Sequence, residues 1–115
     1  MKDFTDAVTL TAHEDTVGVV VVEVAGELDT ATTTSAEDFV LRRLGSGVRT
    51  LVLDLSGVTF LGSTGINMLI TVRAACARTG TALRLVANTK VVLRPLQLTD
   101  LVDQFDIVTA VSEAS

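Results

Sequence analysis

The stretch at residues 17–25, VGVVVVEVA, limits the available folds more than any other part of the chain. It is rich in β-branched residues, which suit a pleated surface better than a helix. It is also too continuously apolar to alternate, so the strand it predicts must be covered on both faces. A second run, residues 48–55, repeats the signal with Leu51, Val52 and Leu53 at its centre. Strands of this kind belong to parallel or mixed sheets whose crossovers are helices.

The intervening segments fit that scheme. Residues 7–12 alternate weakly and read as an edge strand, and His13-Glu14-Asp15-Thr16 reads as a turn. Gly26-Glu27-Leu28-Asp29 breaks the second strand. A helix follows as far as Arg43, with Asp29 or Thr30 able to cap it and the triplet Thr32 to Thr34 delaying its start. After residues 48–55, Ser56-Gly57 turns the chain, and Phe60 and Leu61 return it to the core. A long helical pattern then runs to Arg78, with Ile66, Leu69, Ile70 or Val72, the stem of Arg73, and Cys76 or Ala77 on its apolar side and Gly80 as its stop. Residues 82–87 form a short strand. The short helix after it contains Pro95, which fits only in a first turn or at a kink. Strands alternating with helices over 115 residues give one α/β domain, residues 1–115, with a parallel or mixed sheet.

Charge and composition exclude several function classes. Nine basic and fourteen acidic residues give a net charge of −5, and the basic ones are scattered. Neither nucleic acid nor an anionic membrane is therefore the expected partner. No run approaches the ~18 apolar residues of a membrane span. The first six residues lack an apolar signal-peptide core, so a cytoplasmic protein is expected. Cys76 is the only cysteine and His13 the only histidine. A disulfide, a Ser-His-Asp triad and a soft-metal cage all lack their residues. Gly62-Ser63-Thr64-Gly65 is neither a nucleophile elbow nor a P-loop. No cofactor, no metal and no enzymatic activity are expected. The one catalytic alternative gathers Asp29, Asp54 and Ser63 around a hard cation in a small phosphate- or nucleotide-handling domain.

Residues 54–66, DLSGVTFLGSTGI, place two hydroxyls between two glycines just after an apolar strand. Ser63 or Thr64 reads as the N-cap of the long helix, and Asp29 and Asp54 read as turn caps. The same placement suits a phosphoryl group. Free N–H groups and the dipole at a helix start offset its charge of ~−1.5 to −2. If their strands are neighbours, Asp29 and Asp54 share a rim with Ser63, and phosphate there turns the rim strongly negative. Gly62 and Gly65 leave the hydroxyl open to a large partner. Phe60 and Leu61 read as core, Cys76 as a buried inert thiol, and Met68 as an exposed contact residue.

These motifs resemble those of the anti-sigma factor antagonists, the STAS-domain regulators of bacterial partner switching. The resemblance covers nearly the whole chain. Its markers are Gly26-Glu27-Leu28-Asp29, the segment from Leu53 through Ile66, and, more loosely, Leu98-Thr99-Asp100-Leu101 with the later Phe105. It implies a STAS-like four- or five-strand mixed sheet with helices packed mainly on one face. It implies a protein, monomeric when free, that binds an anti-sigma factor of serine kinase type and releases the sigma factor. Phosphorylation by that partner would switch it off, and a serine phosphatase would restore it. Carried onto this chain, the phospho-acceptor is Ser63, and Asp29, Asp54, Gly62, Thr64 and Gly65 line the site. Thr64, Ile66, Asn67 and Met68 face the partner. Where the family commonly has Asp before the serine, this chain has Gly62. A STAS subunit of another signalling complex is the neighbouring alternative.

Overall fold

The computed structural model describes residues 2–4, by backbone alone, and residues 8–114. Six strands form one sheet in sequence order: β1 (Lys2–Phe4), β2 (Val8–Thr16), β3 (Val19–Leu28), β4 (Thr50–Leu61), β5 (Ala82–Val86) and β6 (Asp106–Val108). The β1–β2 and β2–β3 pairs are antiparallel, and the pairs from β3 to β6 are parallel. Three helices make the parallel crossovers: α1 (Thr33–Leu41), α2 (Ser63–Thr79) and α3 (Lys90–Leu98). Parallel strands laid down in sequence order, with crossovers of one hand, send every helix to the same side of the sheet.

The core follows from that arrangement. Val22 and Val24 of β3, Leu51, Leu53 and Leu55 of β4 and Leu85 of β5 form one cluster with Phe39 and Val40 of α1, Leu69 and Val72 of α2, and Val92 and Leu96 of α3. Val19, Val21, Val52 and Val86 point the other way, into a smaller cluster closed by Val108, Val111 and Ala114. The valine run is thus covered on both faces, as its composition requires. The mixed sheet with helices on one face is as expected. The strand count rises to six through the short edge strand β1.

Three predicted breaks are not breaks. His13 to Thr16 belong to β2, and the chain reverses instead at Val17-Gly18, where Gly18 has φ +83°. β3 runs through Gly26 to Leu28. Ser56-Gly57 does not turn β4; the strand absorbs extra residues as bulges where its register with β3 shifts. Gly57 is needed for closeness rather than for turning, since a Cβ there would meet the Ala25 Cβ at 2.8 Å. Pro95 lies inside α3, which continues past it to Leu98. At the far end of α2, Gly80 stops the helix with φ +70°, and Thr81 N–H donates to the Cys76 carbonyl at 2.8 Å.

Candidate functional site

The lengthened β3 and β4 end side by side, Leu28 opposite Leu61. Gly62 N–H donates to the Leu28 carbonyl at 3.0 Å, which fixes where α2 begins. Gly62 is its N-cap, and Ile66 N–H makes the first helical bond, to the Gly62 carbonyl at 3.1 Å. The 17-residue helix has no side-chain cap bond and no acid in its first turn, so its own residues do not offset its positive pole.

Asp29, Thr30, Phe60, Gly62, Ser63 and Thr64 line one open depression of about 290 Å³. Ser63 is exposed and Thr64 half-buried. The Asp29 carboxylate accepts from Ala31 N–H at 2.9 Å, so it shapes the turn into α1 as well as the wall of the depression. Buried Thr32 completes that turn. Its hydroxyl donates to the Glu27 carbonyl at 2.6 Å and accepts from Asp29 N–H at 3.1 Å.

Gly65 is present for packing, not for access. It is buried, and a Cβ there would lie 2.6 Å from Leu61 Cδ1 and 3.0 Å from Leu28 Cβ. The absence of that atom lets the first turn of α2 lie directly on the β3–β4 ends.

Three expected placements are corrected. Asp54 does not line the site. Because β4 continues past Ser56-Gly57, Asp54 sits mid-strand opposite Glu23. The five residues of β3 from Glu23 to Leu28 put it roughly 16 Å from the Leu61 end, at ~3.3 Å per residue. Its carboxylate accepts from Ser56 N–H at 3.0 Å and Ser56 Oγ at 2.6 Å, holding the bulged segment. The cation-centred trio of Asp29, Asp54 and Ser63 therefore does not assemble. Met68 is only 1% exposed and belongs to the core, so it presents nothing to a partner. The inward face of α2 is Gly65, Met68, Leu69, Val72, Ala75 and Cys76, a helical repeat that includes Met68. Of the other expected contact residues, Asn67 is exposed and Thr64 and Ile66 are half-buried. Phe60, expected in the core, is 49% exposed, while Leu61 is buried. Strand alternation was the available signal: with Leu61 inward, Phe60 points outward. Thr30 is the other lining residue missed, and its only signal is adjacency to Asp29.

Cys76 is buried as expected, and burial pushes its thiol above its ordinary value. His13 is exposed on β2, with Nδ1 3.9 Å from a Glu23 carboxylate oxygen. Among the described residues no group of acidic, histidine or cysteine side chains is placed to hold a metal ion, and no helix is long and apolar enough to cross a membrane.

A mixed sheet with its three α-helices on one face, and a hydroxyl at the bare start of the helix after the fourth strand, define the class. The STAS domain profile matches residues 10–114, and the chain belongs to that family. It is 32% identical over 111 residues to the anti-sigma-F factor antagonist RsfB of Mycobacterium tuberculosis, spanning 95% of this chain and 88% of that one. The crystal structure of an anti-sigma factor antagonist from Mycobacterium paratuberculosis superposes with a TM-score of 0.84 at 32% identity, covering 95% of this chain and 92% of that one. The unphosphorylated form of the anti-sigma factor antagonist SpoIIAA shares the fold, with a TM-score of 0.75 at 17% identity and 91% of each chain covered.

Proposed function

We propose that this STAS protein is an anti-sigma factor antagonist: it binds an anti-sigma factor, frees the sigma factor, and is switched off by phosphorylation of Ser63. The observation that carries the reading is the exposed Ser63 at the uncapped start of α2, in one depression with Asp29, in a chain 32% identical to an antagonist over nearly its full length. The partner is a serine kinase-like protein using ATP, a serine phosphatase reverses the modification, and the exchange takes place in the cytoplasm. The antagonist itself is a non-enzymatic single domain, monomeric when free.

The geometry supports Ser63 over Thr64 as acceptor, because Ser63 is exposed and Thr64 is half-buried. A phosphoryl group on Ser63 meets free first-turn N–H groups, which offset its charge within the chain. Toward a partner it adds ~−1.5 to −2 units beside the Asp29 carboxylate, and the surface that was bound becomes one that repels. A penalty of about 1.4 kcal/mol already lowers affinity tenfold. The second acid expected to strengthen that effect, Asp54, is too distant to do so.

The test is intact-mass measurement after incubation with magnesium-ATP and each purified anti-sigma factor of the source organism, comparing the parent with Ser63→Ala and Thr64→Ala, with the same samples run on a sizing column. The expected result is one phosphate-sized gain in the parent and in Thr64→Ala, none in Ser63→Ala, and dissolution of the complex as the mass appears. A gain that persists in Ser63→Ala refutes the assigned acceptor, and a complex unaffected by the gain refutes the switch.

A further inference from the structure

We infer that Phe60 and Gly62 form the specificity element of this site: the Phe60 ring holds an apolar side chain of the anti-sigma factor beside Ser63, and Gly62 is glycine so that the ring can lie there. The inference rests on the antagonist reading and names how that surface recognises its partner.

The first observation is exposure. Phe39 is buried with Arg43 across its ring at 4.2 Å, and Phe105 has Arg73 over its ring at 5.3 Å. Phe60 is 49% exposed, in a chain whose aromatic content is 3%. It lies on the wall of the Ser63 depression rather than on an unrelated face.

The second observation is the glycine. Gly62 has φ −90° and ψ −177°, an extended conformation open to any residue. Backbone freedom therefore does not require glycine. A Cβ at this position would lie 3.0 Å from Phe60 Cε2 and 3.4 Å from Cζ, so a side chain there would press the ring aside by a few tenths of an ångström. An aspartate at this position would crowd the ring rather than leave it where it lies. Where that aspartate gives a carboxylate at the helix start, this chain gives an apolar wall.

The third observation is size. An open depression of about 290 Å³ has room for one large side chain. An aromatic wall with a polar rim, here Asp29 and Ser63, is the pattern of an interface anchor. The occupant is an aliphatic or aromatic side chain. A phosphoryl group on Ser63 would have to shed water for that side chain to stay, so the apolar contact also sharpens the switch.

The experiment measures binding of the parent, Phe60→Ala, Phe60→Leu and Gly62→Asp to the purified anti-sigma factor that the parent binds. Calorimetry is run at low and at high salt, with thermal melts as folding controls and the Phe60 ring resonances followed on titration. Phe60→Ala and Gly62→Asp are each expected to lose about tenfold or more in affinity, with Phe60→Leu between them and the parent. The parent's affinity is expected to change little with salt, and the ring resonances to shift on binding. Parent-like affinity in Phe60→Ala, or in a folded Phe60→Leu alongside unmoved ring resonances, overturns the inference and leaves the antagonist reading standing. Steep salt dependence with parent-like Gly62→Asp overturns it as well. Failure of the parent to bind any anti-sigma factor overturns the antagonist reading itself and this inference with it.

Discussion

Two concave regions lie at opposite ends of α2, and they are finished differently. At the far end, Arg73, Cys76, Thr81, Leu83, Gln104 and Phe105 line a cleft whose polar groups serve the chain itself. Arg73 Nη1 donates to the Gln104 carbonyl at 3.2 Å and to Gln104 Oε1 at 3.1 Å, and its guanidinium covers the Phe105 ring. Thr81 Oγ1 lies 2.9 Å from Thr79 Oγ1. At the Ser63 end the helix start has no side-chain cap, the hydroxyl is exposed and the Phe60 ring is half bare. That contrast is what the proposed role of the Ser63 end as the partner-binding surface requires.

The largest expected effect comes from breaking the close contact that builds the Ser63 end. Gly65→Ala introduces a Cβ into the space held by Leu61 and Leu28. Overpacking of this kind costs about 1–3 kcal/mol, so the urea midpoint should fall clearly. Binding should weaken with it, because the first turn of α2 must lift from the sheet. A Gly65→Ala protein with the parent's midpoint would show that the helix start is not locked.

At the far end, Arg73→Ala should cost about 1 kcal/mol through loss of its hydrogen bonds and its place over Phe105. Affinity for the anti-sigma factor should be unchanged. Equal loss of stability and affinity would mean that the two ends are not independent, and the comparison between them would fail.

The contrast also explains what the sequence made legible. The valine run and residues 48–55 revealed the central strands because burial on both faces writes itself as composition. The start of α2 was legible to within a residue because a helix start after a strand is a local pattern, although the cap is Gly62 and not the Ser63 or Thr64 hydroxyl. Asp54 was misplaced because Ser56-Gly57 resembles a turn locally, whereas here two extra residues are absorbed as bulges against β3. Pairing across strands decided that, and no window of sequence contains both partners. Met68 was misassigned because the apolar stripe was drawn too narrow: Leu69, Val72 and Cys76 do face inward, Ile66 packs against the core, and Met68 lies among them. Phe60 was taken as core because a single aromatic beside a leucine reads as core unless the strand is known to run on to residue 61.

A smaller effect lies on the link leading into the far cleft. Asp100 has φ +58°, a left-handed conformation that Asp tolerates and glycine adopts freely. Asp100→Gly should therefore raise stability, by about 0.5–1 kcal/mol at most, since glycine also enlarges the entropy of the unfolded chain. A melting temperature below the parent's would mean that the Asp100 side chain contributes more than its backbone costs.

The smallest effect at neutral pH belongs to Cys76, and it appears only in alkali. Burial favours the uncharged thiol, so the folded pKa lies above the ordinary 9.0. As pH rises through that ordinary value, the unfolded chain releases the thiol proton first and the folded chain retains it. Stability therefore falls with rising pH until the folded pKa is passed. Cys76→Ala removes this dependence. Comparing urea midpoints at about pH 8 and about pH 10, the parent should lose more than the variant, the difference between them cancelling the lysines and arginines they share. Equal losses would mean that the thiol is reached by solvent in the folded chain. The far cleft would then be an opening to the helix interior, and the Ser63 depression would no longer be the place where this molecule leaves its groups unused.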